Sequence, residues 1–315
     1  MKNWSDLKSE VESEIISRHQ LAKNNAQLNL DKILETNIDI KNIYEERKSL
    51  VSKIAREEMS GNSADSLKQR YKELGNKIKK KLEQKKISKE EILPNYFCKV
   101  CEDTGRINND LCKCYKKELE ILQYKNNNLD VMNLPSFETT KFDKIKEEKQ
   151  RKQNKALYES IQKLLRAEKL SKNTITIFGN VGTGKTHLME CIAHDAIKKG
   201  LHTIYLSFFN FNKKMLGVHC QNTLEKEGAL APYLECDILL LDDMGSENIF
   251  KNVTLEYLYL ILDERMCKNK LTILTTNLTF EQIREVYDER IFSRIASTQQ
   301  SQKFQLSGED LRLNI

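Results

Sequence analysis

The sequence predicts an α/β protein: a three-layer core with a parallel sheet built around a phosphate-binding loop, preceded by a helical hairpin and a small metal-binding module. Three observations carry this expectation. The octapeptide Gly179-Asn180-Val181-Gly182-Thr183-Gly184-Lys185-Thr186 fits the pattern G-x-x-x-x-G-K-[ST] at every defined position. From residue 174 onward, short β-branched runs alternate with helical segments. Four cysteines stand ahead of that core as C-x-x-C and then C-x-C.

The bulk numbers set limits. The chain has 315 residues, 31% of them charged, and a formal net charge of +6. That balance is mildly basic and compatible with nucleic acid without requiring it. Three prolines and 11 glycines point to a mostly helical chain with few loops. No apolar run approaches the roughly 20 residues of a membrane span, and Met1 to Asp6 does not begin a signal peptide. Of eight cysteines, four cluster at metal-ligand spacing and the others scatter, so a reducing, cytoplasmic setting without membrane contact is expected.

Taken in order, the chain divides into residues 1–92, 93–125, 126–146 and 147–315. The first segment reads as helical and polar. Leu67, Tyr71, Leu74, Ile78 and Leu82 form one apolar stripe on a charged helix. Ile33, Ile40, Ile43, Leu50, Val51 and Ile54 predict another long helix before it, broken at Ser60-Gly61-Asn62-Ser63, with Ser63 or Ser66 as the second cap. Such a pair makes an antiparallel hairpin, either a self-contained spacer or a partner-binding surface. Ser88-Lys89-Glu90-Glu91 is a capping box for one more short turn.

Next come Cys98-Lys99-Val100-Cys101 and Cys112-Lys113-Cys114. Two such knuckles offer four soft ligands to one tetrahedral zinc, leaving no open position for a catalytic water. Gly105 and the Asn108-Asn109-Asp110 turn allow a hairpin that brings the knuckles together. Because C-x-C is the less usual spacing, one ligand assignment stays open. Residues 126–146 read as a linker, and a helix from Glu147 to Leu170 opens the core.

Within the core, Thr174 to Phe178 reads as the strand leading into the glycine loop, and His187 to Lys199 as the helix leaving it. Thr203–Leu206, Asp237–Leu241, Leu271–Thr275 and Lys303–Leu306 supply the other strands. The glycines let backbone N–H groups curl around phosphate oxygens, and the helix N-terminus adds partial positive charge. Lys185 is expected to reach the β- and γ-phosphates of a nucleoside triphosphate, and Thr186 to ligate Mg²⁺. Asp242 and Asp243 end an apolar strand. There Asp242 would hold Mg²⁺ through water, while Asp243 orients or deprotonates the attacking water. Asn277, at the end of the following strand, is placed to sense the γ-phosphate. Phe208, Phe209, Lys213 and Lys214 join aromatic to basic character, as single-stranded DNA contacts do, and the same aromatics serve equally as core packing.

Together Gly179 to Thr186, Leu239 to Asp243 and Thr275 to Asn277 resemble the motifs of an AAA+ ATPase. Asp288 to Ile295 and Gly308 to Arg312 are similar to the arginine-finger segment and terminal arginine motif of DnaC/DnaI-type replicative helicase loaders. The C-x-x-C-x-D-T-G run starting at Cys98 resembles cysteine modules ahead of the core in some members. The resemblance spans about residues 95 to 315. It implies ATP as ligand, Arg294 as a finger reaching a neighbour's γ-phosphate with Arg290 as rival, and Arg312 as a second nucleotide sensor. It implies an ATP-dependent oligomer that binds a hexameric replicative helicase through residues 1–92 and the zinc module and delivers it onto single-stranded DNA. Asp243 stands where many AAA+ proteins have Glu, which implies slow hydrolysis. Three residues follow Arg312 in the sequence, so the usual helical lid is not expected. An IstB-type transposition helper, binding duplex DNA and a transposase, has nearly the same core. A third reading makes the core a nucleotide switch with negligible turnover.

Overall fold

The computed structural model describes residues 1–130, 132–143, 145–167, 172–308 and 310–311. It divides into two compact units, Glu12–Tyr115, and Met1–Val11 together with Lys116–Ile315. No helix among the described residues is long and apolar enough to cross a membrane.

The chain begins with α1 (Trp4–Thr36), α2 (Ile38–Met59) and α3 (Asp65–Gln84), followed by the short α4 (Lys89–Ile92). The expected long helix through Ile33 and Ile54 is interrupted at Asn37, whose side-chain amide donates to the Ile33 carbonyl at 2.7 Å. The expected break after Met59 is present, but its cap is neither Ser63 nor Ser66. Ala64 holds that position without a side-chain bond, because Ser63 lies one residue too early. Helices α2 and α3 pair along a seam that buries Ile40, Leu50, Leu74 and Leu82, and Arg47 stacks on Tyr71 at 4.0 Å. At α4 the capping box forms, with the Glu91 carboxylate accepting from Ser88 N–H at 2.8 Å.

Strands β1 (Arg106–Ile107) and β2 (Asp110–Leu111) form a two-residue antiparallel hairpin. Asn108 takes φ +55 in its turn, a left-handed conformation that Asn tolerates better than most residues. Helix α5 (Lys113–Asn126) starts at the second cysteine knuckle.

The core continues with α6 (Glu148–Leu165), β3 (Thr174–Gly179), α7 (Lys185–Lys198), β4 (Thr203–Ser207), α8 (Phe208–His219) and α9 (Thr223–Glu235). Then come β5 (Ile238–Met244), a π-helical turn over Lys251–Leu255, α10 (Glu256–Cys267), β6 (Leu271–Thr276), α11 (Phe280–Val286), α12 (Glu289–Ala296) and β7 (Ser301–Leu306). The opening core helix was expected to run to Leu170. It ends at Leu165, and residues 168–171 fall outside the described ones.

All five core strands are parallel, in the order β4-β5-β6-β3-β7. Alternation sorts their side chains between two helical layers. Ile175, Ile177, Leu240 and Ile273 meet α6 and α7 through Leu157, Ile161, Leu188 and Ile192. Leu239, Leu241 and Leu274 meet the opposite layer through Phe211, Met215, Leu258 and Ile295. The result is a three-layer α/β core behind a helical N-terminus.

The edge strand β4 is closed by side chains rather than by another strand. Gln123 accepts from Thr203 N–H at 3.0 Å, and Asn127 both accepts from Tyr205 N–H at 2.8 Å and donates to the Thr203 carbonyl at 2.9 Å. Both amides are buried, so the backbone groups of an exposed edge are satisfied without inviting a further strand. The stretch expected as a linker therefore begins inside the packed core, and Ile145 near its end is buried as well.

Candidate nucleotide site

At the carboxyl end of β3 the chain turns through the glycine loop into α7. Gly182 and Gly184 take φ +77 and +94, conformations that cost an L side chain dearly. A Cβ at Gly179 would meet the Thr183 hydroxyl at 2.7 Å and the Leu306 carbonyl at 2.9 Å. Lys185 is buried, and its Nζ donates to the carbonyls of Gly179 and Asn180 at 2.8 and 2.9 Å. Thr183 donates to the Asn180 carbonyl at 2.9 Å. The ammonium thus sits inside the loop's curve, and the amide-rich N-terminus of α7 faces the same space, an arrangement suited to an anion.

The loop lines a cavity of about 870 Å³ that also takes in Thr186, Asp243 and Asn277. Its apolar lining is Phe142, Ile145, Tyr158 and Leu311, with Phe142 set edge-on to Tyr158 at 5.0 Å. Tyr158 and Leu311 lie against the loop itself, Leu311 N–H donating to the Gly182 carbonyl at 3.0 Å. Burial pushes the Tyr158 phenol well above its usual range, and burial lowers His187, whose Nδ1 lies 3.2 Å from the Tyr158 hydroxyl. The cavity thus combines a polar, glycine-rich lining with aromatic and apolar side chains, as a nucleotide's phosphates and base require.

Asp242 is buried. Its Oδ1 accepts from Thr275 Oγ1 at 2.5 Å and its Oδ2 from the Tyr205 hydroxyl at 3.2 Å. Thr275 in turn accepts from Asp243 N–H at 2.7 Å. The β5–β6 register slips between Leu241 and Met244, and Asp243 takes φ +63. This local bulge turns the Asp243 side chain out of the sheet and toward the cavity. Burial, and then the Asp242 charge, raise the Glu190 carboxyl on α7. The sequence assigned no role to Tyr205, Phe142 or Tyr158, and named Thr275 only as part of the Thr275 to Asn277 motif. Only the two phenylalanines in the stretch before α6 (Phe137 and Phe142) were a usable signal.

Neither Arg290 nor Arg294 lines this cavity. Arg294 pairs with Asp263 on α10 at 2.6 Å and bonds the Tyr259 hydroxyl at 3.1 Å. Arg290 pairs with Glu256 at 2.9 Å and Asp288 at 3.0 Å. Arg312 lies outside the described residues.

On α8 the aromatic and basic residues separate. Phe208 is fully buried against Phe211 and Tyr287, which corrects its expected role as a stacking platform: its ring has no face open to a base. Phe209 is 56% exposed, and with Lys213, Leu216 and Phe250 it borders a groove of about 420 Å³. Lys214 is exposed on the same helix.

In the unit Glu12–Tyr115, the sulfurs of Cys98, Cys101, Cys112 and Cys114 lie within 4.8 Å of one another. The Cys98–Cys112 and Cys101–Cys114 pairs stand at 3.8 and 3.4 Å. Zinc–sulfur bonds of about 2.3 Å place tetrahedral sulfurs about 3.8 Å apart, so the donor set and its size fit zinc. Buried Asp103 holds the first knuckle by accepting from the N–H groups of Phe97 and Cys98 at 2.7 and 2.8 Å. The Cys101 and Val100 N–H groups draw the Cys98 thiol down to about 7.

A family model described as IstB-like ATP binding protein matches residues 125–314. Among curated proteins, the chromosomal replication initiator DnaA of Wolinella succinogenes is 30% identical over 141 residues, 45% of this chain and 31% of that protein. DnaA of Aquifex aeolicus is 35% identical over 91 residues, 29% of this chain and 22% of that protein. The chain thus spans at most about a third of the length of these relatives. Among solved structures, AMPPCP-bound DnaA from Aquifex aeolicus gives a TM-score of 0.45 at 26% identity, covering 57% of this chain and 53% of that one. A DnaC helicase loader gives 0.43 at 20% identity, covering 54% and 96%.

Proposed function

Since the chain belongs to the IstB-like ATP binding protein family, we propose that it is an ATPase that loads a replicative DNA helicase onto single-stranded DNA. The observation that carries the ATPase reading is the single cavity shared by the glycine loop, Lys185, Asp243 and Asn277. Gly179 to Thr186 grip the phosphates. Lys185 exchanges its loop carbonyls for β- and γ-phosphate oxygens. Thr186 and Asp242 are hard oxygen donors suited to Mg²⁺, which when bound neutralises charge on the phosphates. Asp243 orients the attacking water, and Asn277 bonds the γ-phosphate or that water. The apolar lining residues Phe142 and Ile145 take the base.

Arg294 completes a neighbour's site by exchanging Asp263 for a γ-phosphate, and Arg312 contacts nucleotide. Hydrolysis is slow and tied to ATP-dependent self-association, because no copy supplies its own finger. Residues 1–92 bind the helicase, next to a zinc held structurally by Cys98, Cys101, Cys112 and Cys114. Phe209, Lys213 and Lys214 meet the DNA strand. The helical hairpin and cysteine module favour this reading, and the 30% identity to a replication initiator over 141 residues supports a replication setting.

The family match itself favours a second reading, an IstB-type transposition helper that binds duplex DNA and a transposase. Affinity capture from host lysate with tagged full-length protein and a non-hydrolysable ATP analogue separates the two. Recovery of the replicative helicase, lost on deleting residues 1–92, is the expected result. Recovery of a transposase instead would overturn the loader reading and leave the ATPase untouched. The trans site is tested by mixing: Arg294→Ala and Lys185→Ala proteins, each inactive, should together regain part of the ATPase activity.

A further inference from the structure

The turn after the acid pair holds another carboxylate, one that the chemistry above does not use. Glu247 is buried, and both its oxygens are engaged. Oε2 accepts from Gly245 N–H at 2.9 Å, and Oε1 accepts from the hydroxyl of fully buried Tyr287. A buried carboxylate survives only with such partners, and charge-assisted bonds of this kind are stronger than neutral ones.

The two partners belong to different parts of the site. Gly245 lies two residues past Asp243, takes φ +104, and has no room for a Cβ, which would fall 2.8 Å from Leu278 beside Asn277. Ser246 closes the same turn by donating its hydroxyl to the Asp243 carbonyl at 2.8 Å. Tyr287 directly precedes Asp288, whose carboxylate caps α12 by accepting from the Arg290 and Ile291 N–H groups. Helix α12 carries both candidate finger arginines, and its Ile291 and Ile295 are fully buried in the core.

We propose that Glu247 is a positioning residue whose carboxylate ties the Asp243 turn to the start of the arginine helix. The acid that orients water in one copy and the arginine that the same copy offers its neighbour are then set by one hydrogen-bonded link. A shift of the turn as the site fills pulls on Tyr287, and through it on the cap of α12. The inference rests on the proposed roles of Asp243 and of an α12 arginine acting in trans.

The test uses the full chain and five variants, Tyr287→Phe, Glu247→Ala, Glu247→Gln, Arg294→Ala and the double variant Arg290→Ala with Arg294→Ala. Three readouts are taken: affinity for a fluorescent ATP analogue, kcat and KM for ATP, and ATP-dependent self-association by sedimentation velocity. Tyr287→Phe keeps the ring packing and the Gly245 bond while removing the link. It should bind nucleotide within about twofold of the parent with KM unchanged, yet lose tenfold or more in kcat and assemble more weakly. Glu247→Ala should do the same, and Glu247→Gln, which can still bond both partners, should recover most of kcat. Tyr287→Phe with parental kcat and assembly, beside an inactive Arg294→Ala, would overturn the link and leave the finger reading standing. A protein that stays active with Arg290 and Arg294 both changed to Ala would overturn both, because α12 would then supply no finger. Equal losses of nucleotide affinity and kcat in Tyr287→Phe, with a lowered melting temperature, would mark a purely structural role and overturn the inference. Should Glu247→Ala fail to fold, Tyr287→Phe decides alone.

Discussion

At the amino ends of the strands, Arg265 on α10 is fully buried, its guanidinium donating to the carbonyls of Tyr233, Cys236 and Leu271 and to the Thr272 hydroxyl at 2.6 to 2.9 Å. At their carboxyl ends, Asp242 is buried too, but its partners are the hydroxyls of Thr275 and Tyr205. Backbone carbonyls cannot leave Arg265 unless the end of α9 or the start of β6 moves, so that charge is locked into the scaffold. Hydroxyls rotate, and each carboxylate oxygen of Asp242 keeps a lone pair for further donors. Asp243 beside it holds a left-handed φ of +63, which brings its side chain to the lining of the cavity. The same sheet is built for rigidity at one end and for exchange of partners at the other.

Arg265→Ala would break the comparison most severely. It orphans three carbonyls and leaves a cavity, and should cost about 3–5 kcal/mol of stability by chemical denaturation. A loss below about 1 kcal/mol would show that water replaces the guanidinium without penalty. Lys185→Ala probes the opposite end. It should weaken ATP binding by roughly a hundredfold or more, about 3 kcal/mol, because the phosphates lose their one buried cation in the loop. Unchanged affinity in a nucleotide titration would show that the loop does not grip phosphates.

His202, at the start of β4, sharpens the contrast through pH. It stacks on Trp4 at 5.1 Å. Burial lowers its imidazole to about 4, opposed by Asp237 and reinforced by Lys270 and Arg265. Its folded pKa lies below the unfolded value of about 6.5. The stability it contributes is therefore complete above about pH 6.5 and is lost as pH falls toward 4. By linkage the loss at pH 5 is about 2 kcal/mol. His202→Gln should flatten the slope of stability between pH 7 and 5, and an unaltered slope would assign the acid loss to other groups. The smallest effect is expected from Thr275→Val, which should leave the melting temperature within a few degrees while lowering kcat about tenfold, as Asp242 and Asp243 lose their shared anchor. A parental kcat would make Thr275 a packing residue only.

Much of this was legible because the signals are local. The glycine spacing, the β-branched runs, the Ser88 box and the cysteine knuckles each act within a few residues. Helix α8 shows a missed local signal: Phe208, Phe211, Met215 and Val218 recur at helical spacing on the buried face, so periodicity assigns Phe208 to the core and Phe209 to the surface. Tyr205, Thr275 and Glu247 carried no such signal, since each works through a partner 32 to 40 residues away.

By itself, the sequence determined the loop that turns through left-handed glycines, the strand that ends in two acids, and a set of thiols spaced for one ion. These follow from backbone conformation and side-chain chemistry, which a short peptide already contains. Only the tertiary structure decided which hydroxyls hold Asp242, which amides close the sheet at β4, and that Arg294 rests on Asp263. Placing β5 and β6 between β3 and β4 is what sets the loop, the acids and Asn277 along one rim. That order is fixed by how the sheet buries its two faces, a property of the whole chain that no single segment records.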